Sequence, residues 1–94
     1  MSVSQTCENI MSVLKTYLCT QNDTVGLKQM ERLAGTMQHI SPELEEELSL
    51  FASTILTKDH KQMVKALEAI ESLHRDEIGD RVMIVLQRIS KKFI

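Results

Sequence analysis

Residues 78–93 read IGDRVMIVLQRISKKF, and their spacing decides the fold. Apolar side chains recur there at steps of three and four and share one helical face: Ile78, Val82, Val85, Leu86, Ile89 and Phe93. Met83 and Ile84 add apolar side chains outside that face. A helix that is apolar on more than one side is enclosed by its neighbours or by a partner. The stretch therefore predicts a helix whose apolar surface is wider than the face that packs against the core.

The N-terminal part of the chain predicts two amphipathic helices. The first spans roughly residues 4–19, and its inward stripe consists of Cys7, Ile10, Met11, Leu14 and Leu18. A polar break follows, in which Asp23 or Thr24 can cap the second helix by accepting hydrogen bonds from its free amides. The inward stripe of the second helix consists of Leu27, Met30, Leu33, Ala34 and Met37.

A third helix has the clearest start signal in the chain. Ser41 is its predicted N-cap, Pro42 suits the first helical position, and acidic residues follow near the positive end of the helix dipole. The side chains expected to face inward are Leu44, Leu48, Phe51, Ala52 and Ile55, whereas Leu50 falls well off that face.

The remaining residues predict two more helices. Thr57 or Asp59 caps a fourth helix, whose stripe is Met63, Ala66, Leu67, Ile70 and Leu73. The fifth begins between residues 75 and 77 and continues to the last residues. Short connections make successive helices antiparallel neighbours. We therefore expect one all-α domain over residues 1–94, a compact bundle of about five amphipathic helices whose packing order stays open.

Composition favours binding over catalysis. Among the 94 residues, 43% are hydrophobic and 26% charged, and only two are Phe and one is Tyr, which is poor material for strands. One small domain of this size does not enclose a deep substrate cavity. The net charge of −2 provides no global positive field to attract phosphates.

No motif of known chemistry accompanies the helices. His39, His60 and His74 lack the spacing that puts two imidazoles on one helix face, so the sequence predicts no metal site, no cofactor and no catalytic residue. Cys7 lies on an inward stripe, and Cys19 lies near a helix end, where we expect it to be exposed. No stretch resembles a signal peptide or a membrane span, which predicts an intracellular, cytoplasmic protein without membrane insertion.

The C-terminal half carries a family resemblance. One helix opens with Ser41, Pro42 and Glu43 and contains Leu48, and the next helix opens at Asp59. The apolar run of the last helix is preceded by His74, Asp76, Glu77 and Gly79. In these features residues 41–94 resemble the helical domain shared by steroid receptor RNA activator protein and the C-terminus of the COPII outer-coat scaffold subunit. The resemblance implies a five-helix bundle without catalysis that serves as an interaction, adaptor or assembly domain, with a scaffold role in vesicle transport as one setting.

Two surfaces are candidate functional sites. The first is an apolar helix surface formed by Met83 and Ile84, with Leu50, that binds another protein or a second copy of the chain. The alternative is a basic strip on the last helix for nucleic acid, formed by Arg81, Arg88, Lys91 and Lys92. We expect protein binding, because the only aromatic near the strip is Phe93, on the core face.

Overall fold

The computed structural model describes the backbone of residues 3–93 and the side chains of residues 5–93. The described chain is all-α, as predicted. Its elements are α1 (Val3–Thr20), α2 (Thr24–Thr36), a 3₁₀ turn (Met37–His39), α3 (Pro42–Thr57), α4 (His60–Leu73), α5 (Arg75–Ile78) and α6 (Asp80–Lys91). Five of the six helices are longer than two turns, which matches the expected number.

Local capping chemistry sets three of the helix starts. The Ser41 hydroxyl accepts a hydrogen bond from the Leu44 amide at the start of α3, and Pro42 follows it, as predicted. Of the alternatives left open for α2 and α4, the aspartates form the caps. Asp23 accepts from the Gly26 amide at 2.8 Å, and Asp59 accepts from the Gln62 amide at 3.1 Å.

The five long helices pack as a closed ring. Each contacts two neighbours in the order α1, α2, α6, α4, α3 and back to α1. Chain order alone does not give this arrangement, because α6 inserts between α2 and α4. Along this ring α6 is not next to α1 or α3, although Phe93, just after α6, stacks on Tyr17 of α1.

Most of the predicted core stripes are buried, and three side chains are not where the spacing placed them. Every predicted inward residue of α1 and α3 is buried. Leu73, predicted on the inward stripe of α4, is 75% exposed, and Ala34 of α2 is also exposed. Met83, predicted at a surface, is fully buried, because α2 and α4 flank α6 on both sides and widen the arc of the helix that they cover.

The predicted fifth helix is divided in two. Gly79 adopts φ 85° and ψ 149°, which ends α5 at Ile78 and lets α6 begin at Asp80. This backbone conformation is essentially restricted to glycine. The apolar spacing runs across the break, since Ile78 and Val82 are both buried, and for that reason periodicity alone predicted one continuous helix.

Candidate protein-interaction surfaces

The predicted trio of Leu50, Met83 and Ile84 does not form one surface. Met83 is buried with 0% exposure and belongs to the core. Leu50 is 40% exposed on α3, and Ile84 is 53% exposed on α6, but α3 and α6 are not neighbours in the helix ring. Ile84 is thus the member of the trio that lies on the outer side of α6.

Ile84 lies among cations. Arg81, Arg88 and Lys91 precede or follow it by three, four and seven residues, so they share the outer side of α6 with it. Arg81 and Lys91 are exposed, and Arg88 is half-buried. Within the described residues, neither Arg81 nor Lys91 takes part in an ion pair.

The neighbouring helix α2 extends this surface. Arg32 and Arg81 line an opening of about 390 Å³, and the carboxylates of Asp76, Glu77 and Asp80 line the same opening. Val25 lies seven residues before Arg32, two helical turns along the same side of α2, and is 57% exposed. We call the resulting patch of Val25, Arg32, Arg81, Ile84 and Arg88 the α2–α6 surface. It joins two exposed apolar side chains to three arginines.

Asp23 fixes the two helices that carry this surface. Its side chain is only 4% exposed, and its carboxylate contacts Arg88 at 3.1 Å and Lys92 at 3.9 Å. The same carboxylate caps α2 through the Gly26 amide. One buried charge therefore connects the start of α2 to the end of α6, 65 residues later in the chain.

This arrangement changes the predicted basic strip. Two of its four cations, Arg88 and Lys92, contact Asp23, which neutralises part of their charge locally. Phe93 stacks on Tyr17 with ring centroids 5.3 Å apart and is half-buried, so it is not an open platform for a base. Arg81 and Lys91 remain as the cations of the predicted strip that take part in no ion pair among the described residues.

The histidines and cysteines occupy separate local settings. The Cys7 thiol is buried, lies 3.7 Å from the Met37 carbonyl oxygen and 3.9 Å from Glu45 Oε2, and its pKa is raised by burial and then by the Glu45 carboxylate. Cys19 is exposed, as predicted. Among the residues described, no three potential metal ligands come together.

His74 bridges to Glu77, three residues later in α5. The imidazole Nδ1 lies 3.2 Å from Glu77 Oε1. The same carboxylate accepts a hydrogen bond from the Ser41 hydroxyl at 3.0 Å and another from the Ser41 amide. Partial burial raises the pKa of Glu77, but the hydrogen bonds from Ser41 and then His74 outweigh it, so the net pKa lies below its usual value. The cluster connects α5 to the start of α3.

Sequence reasoning missed a second surface, on the outer side of α1 and α3. Two grooves of about 360 Å³ and 300 Å³ lie between these helices, and Val13 and Leu56 line both. Leu56 is 70% exposed. Every residue that lines either groove is uncharged. The available signal was the charge-free run LSLFASTILT at residues 48–57. We call this surface the α1–α3 face.

None of the described helices is long and apolar enough to cross a membrane. The resemblance of residues 41–94 to the coat-subunit domain stays a prediction. Comparison of the chain with protein-family models, with curated proteins and with solved structures finds no match.

Proposed function

We propose that this chain is a non-enzymatic protein-interaction or assembly module whose α2–α6 surface binds an acidic, partly apolar segment of another protein. The observation that carries the proposal is the exposure of Val25 and Ile84, 57% and 53%. Helical spacing places each on the same side of its helix as an arginine, Arg32 on α2 and Arg81 and Arg88 on α6. Neither apolar side chain is needed inside the bundle at that exposure.

Charge and shape select the class of partner. Arginine is enriched at the centre of protein interfaces, where its planar guanidinium pairs with carboxylates and its stem packs on apolar atoms. Arg32 and Arg81 are in no ion pair among the described residues. An acidic segment with one or two apolar anchors would pair with these arginines and cover Ile84. The resemblance of residues 41–94 adds a scaffold or coat assembly as a setting for such binding.

Selection of peptides from a random library on the immobilised chain tests the proposal. We expect the enriched peptides to be acidic with apolar residues at helical spacing. Ile84→Asp should raise the dissociation constant of these peptides at least about tenfold, which corresponds to about 1.4 kcal/mol of binding free energy. Arg81→Glu should also weaken their binding. Since Ile84 is exposed, both variants should keep the unfolding midpoint of the wild type.

Leu73→Asp is the matched control. It places the same charge at another exposed apolar position, 75% exposed on α4 and outside the α2–α6 surface, so it should bind the selected peptides like the wild type. Enrichment of neutral or basic peptides, or of none, would contradict the proposal. Salt-sensitive binding of a single-stranded RNA oligonucleotide that Arg81→Glu removes and Ile84→Asp leaves intact would favour the nucleic-acid alternative instead.

A further inference from the structure

The α1–α3 face is neutral in a chain whose remaining surface is charged. Glu8 and Lys15 are the only charged residues of α1, and neither lines the two grooves of this face. On α3 the acidic residues all precede Leu48, in the first turns, while the grooves begin at Ser49. The chain as a whole has 26% charged residues. A solvated outer face formed by two helices would normally carry charged residues in a similar proportion.

Leu56 is the protruding element of this face. It is 70% exposed and lines both grooves, one beside Thr6, Asn9 and Ser53 and the other beside Thr16 and Tyr17. The small side chains around it leave the two recesses open. The face therefore presents a protruding leucine with an open groove of about 360 Å³ on one side and of about 300 Å³ on the other.

We propose that a second copy of this chain docks on the α1–α3 face, with Leu56 of each copy entering a groove of the other. A two-fold contact is made by the same patch on both copies, so that patch must supply both the protrusion and the recess. The α1–α3 face does. The residues that line its two grooves also carry no charge that a second copy would bring against itself, whereas basic and acidic surfaces elsewhere on the chain would repel their own kind.

The α1–α3 face and the α2–α6 surface share no residue. Self-association through α1 and α3 therefore does not use the residues proposed to bind the acidic partner, and it does not depend on whether that partner exists.

Sedimentation equilibrium of the wild-type chain across a concentration series tests the proposal. We expect the mass to rise to twice that of the chain. Leu56→Asp should raise the dimer dissociation constant at least about 100-fold, because the central anchor is lost and a carboxylate is buried in each groove. Leu73→Asp, equally exposed at the end of α4, and Ile84→Asp should dimerise like the wild type.

A second measurement locates the contact. In an equimolar mixture of isotope-labelled and unlabelled chain, filtered nuclear Overhauser spectra should connect the Leu56 methyl groups of one copy to Val13 or Thr16 of the other. Circular dichroism should show Leu56→Asp to be as helical as the wild type. A wild-type chain that stays monomeric at its solubility limit, a folded Leu56→Asp that still dimerises, or intermolecular signals confined to other residues would overturn the proposal.

Discussion

At the residue scale, Gly26 is required by close packing. A Cβ atom there would lie 2.9 Å from both the carboxyl carbon of Asp23 and a methyl group of Leu18. Neither neighbour can easily move. Leu18 has 0% exposure, and the Asp23 carboxylate is held by the Gly26 amide and by Arg88. The absent side chain thus allows the α2 cap and its buried ion pair to form together.

Alanine at the two glycines of α2 should have opposite effects. Gly26→Ala should lower the free energy of unfolding by about 1–3 kcal/mol, the usual cost of forcing extra atoms into a packed site. Gly35→Ala should raise it by up to about 1 kcal/mol, because nothing lies within 4 Å of its Cβ position and alanine is the better helix former. Urea unfolding of both variants measures the difference, and a stabilised Gly26→Ala would contradict the packing argument.

Sequence reasoning found this site only in part. It named Asp23 or Thr24 as the cap, since either side chain can accept hydrogen bonds from helix amides. It had no means of placing Arg88 and Lys92 on that cap, because a contact over 65 residues depends on the position of α6 in the ring. Arg88 and Lys92 were therefore predicted to belong to a solvated basic strip.

At the element scale, the junction between α5 and α6 depends on one backbone conformation. Gly79 at φ 85° and ψ 149° turns the chain so that α6 enters between α2 and α4. The penalty of about 1 kcal/mol for glycine in a helix is too small to decide between a break and a continuous helix from sequence. Here tertiary packing decides, since both Ile78 before the break and Val82 after it reach the core.

Gly79→Ala should therefore destabilise the fold through the backbone alone. We expect a loss of about 1–3 kcal/mol in the free energy of unfolding, the cost of holding an L-residue in this region. No atom lies within 4 Å of the Cβ position, so steric overlap does not contribute. A synthetic chain with D-alanine at position 79 is the control, because a D-residue favours positive φ. Equal loss with L- and D-alanine would argue against backbone strain.

At the scale of the whole molecule, ring order decides which apolar residues are covered. Met83 and Ile84 are adjacent in sequence, and helical spacing places both off the main stripe of α6. The neighbours α2 and α4 cover Met83 completely and leave Ile84 53% exposed. Periodicity separates the faces of a helix but does not say how wide an arc its neighbours cover. For the same reason, periodicity did not predict the exposure of Leu56, which depends on how α1 and α3 pack together.

The Glu77 cluster is a second long-range connection, and it makes stability depend on pH. The hydrogen bond from Ser41 joins residues 36 positions apart, and together with the one from His74 it holds the native pKa of Glu77 below its ordinary value of 4.5. At a pH between the native pKa of Glu77 and 4.5, this carboxyl binds more protons in the unfolded chain than in the native chain, so stability falls as the pH falls. The contribution of Glu77 is fully present above pH 4.5 and is lost as the pH drops through the native pKa.

Glu77→Gln should consequently be less stable than the wild type near neutral pH by about 1 kcal/mol, the net value of a hydrogen-bonded group at a partly exposed site. The difference should shrink as the pH is lowered below 4.5, because protonation removes the same charge from the wild type. Urea unfolding of both chains from neutral to acidic pH measures it. Glu68→Gln, at an exposed position of α4 with no bonded partner among the described residues, should differ little from the wild type throughout. A difference for Glu77→Gln that persists unchanged into acid would mean that shape, and not charge, joins α5 to the start of α3.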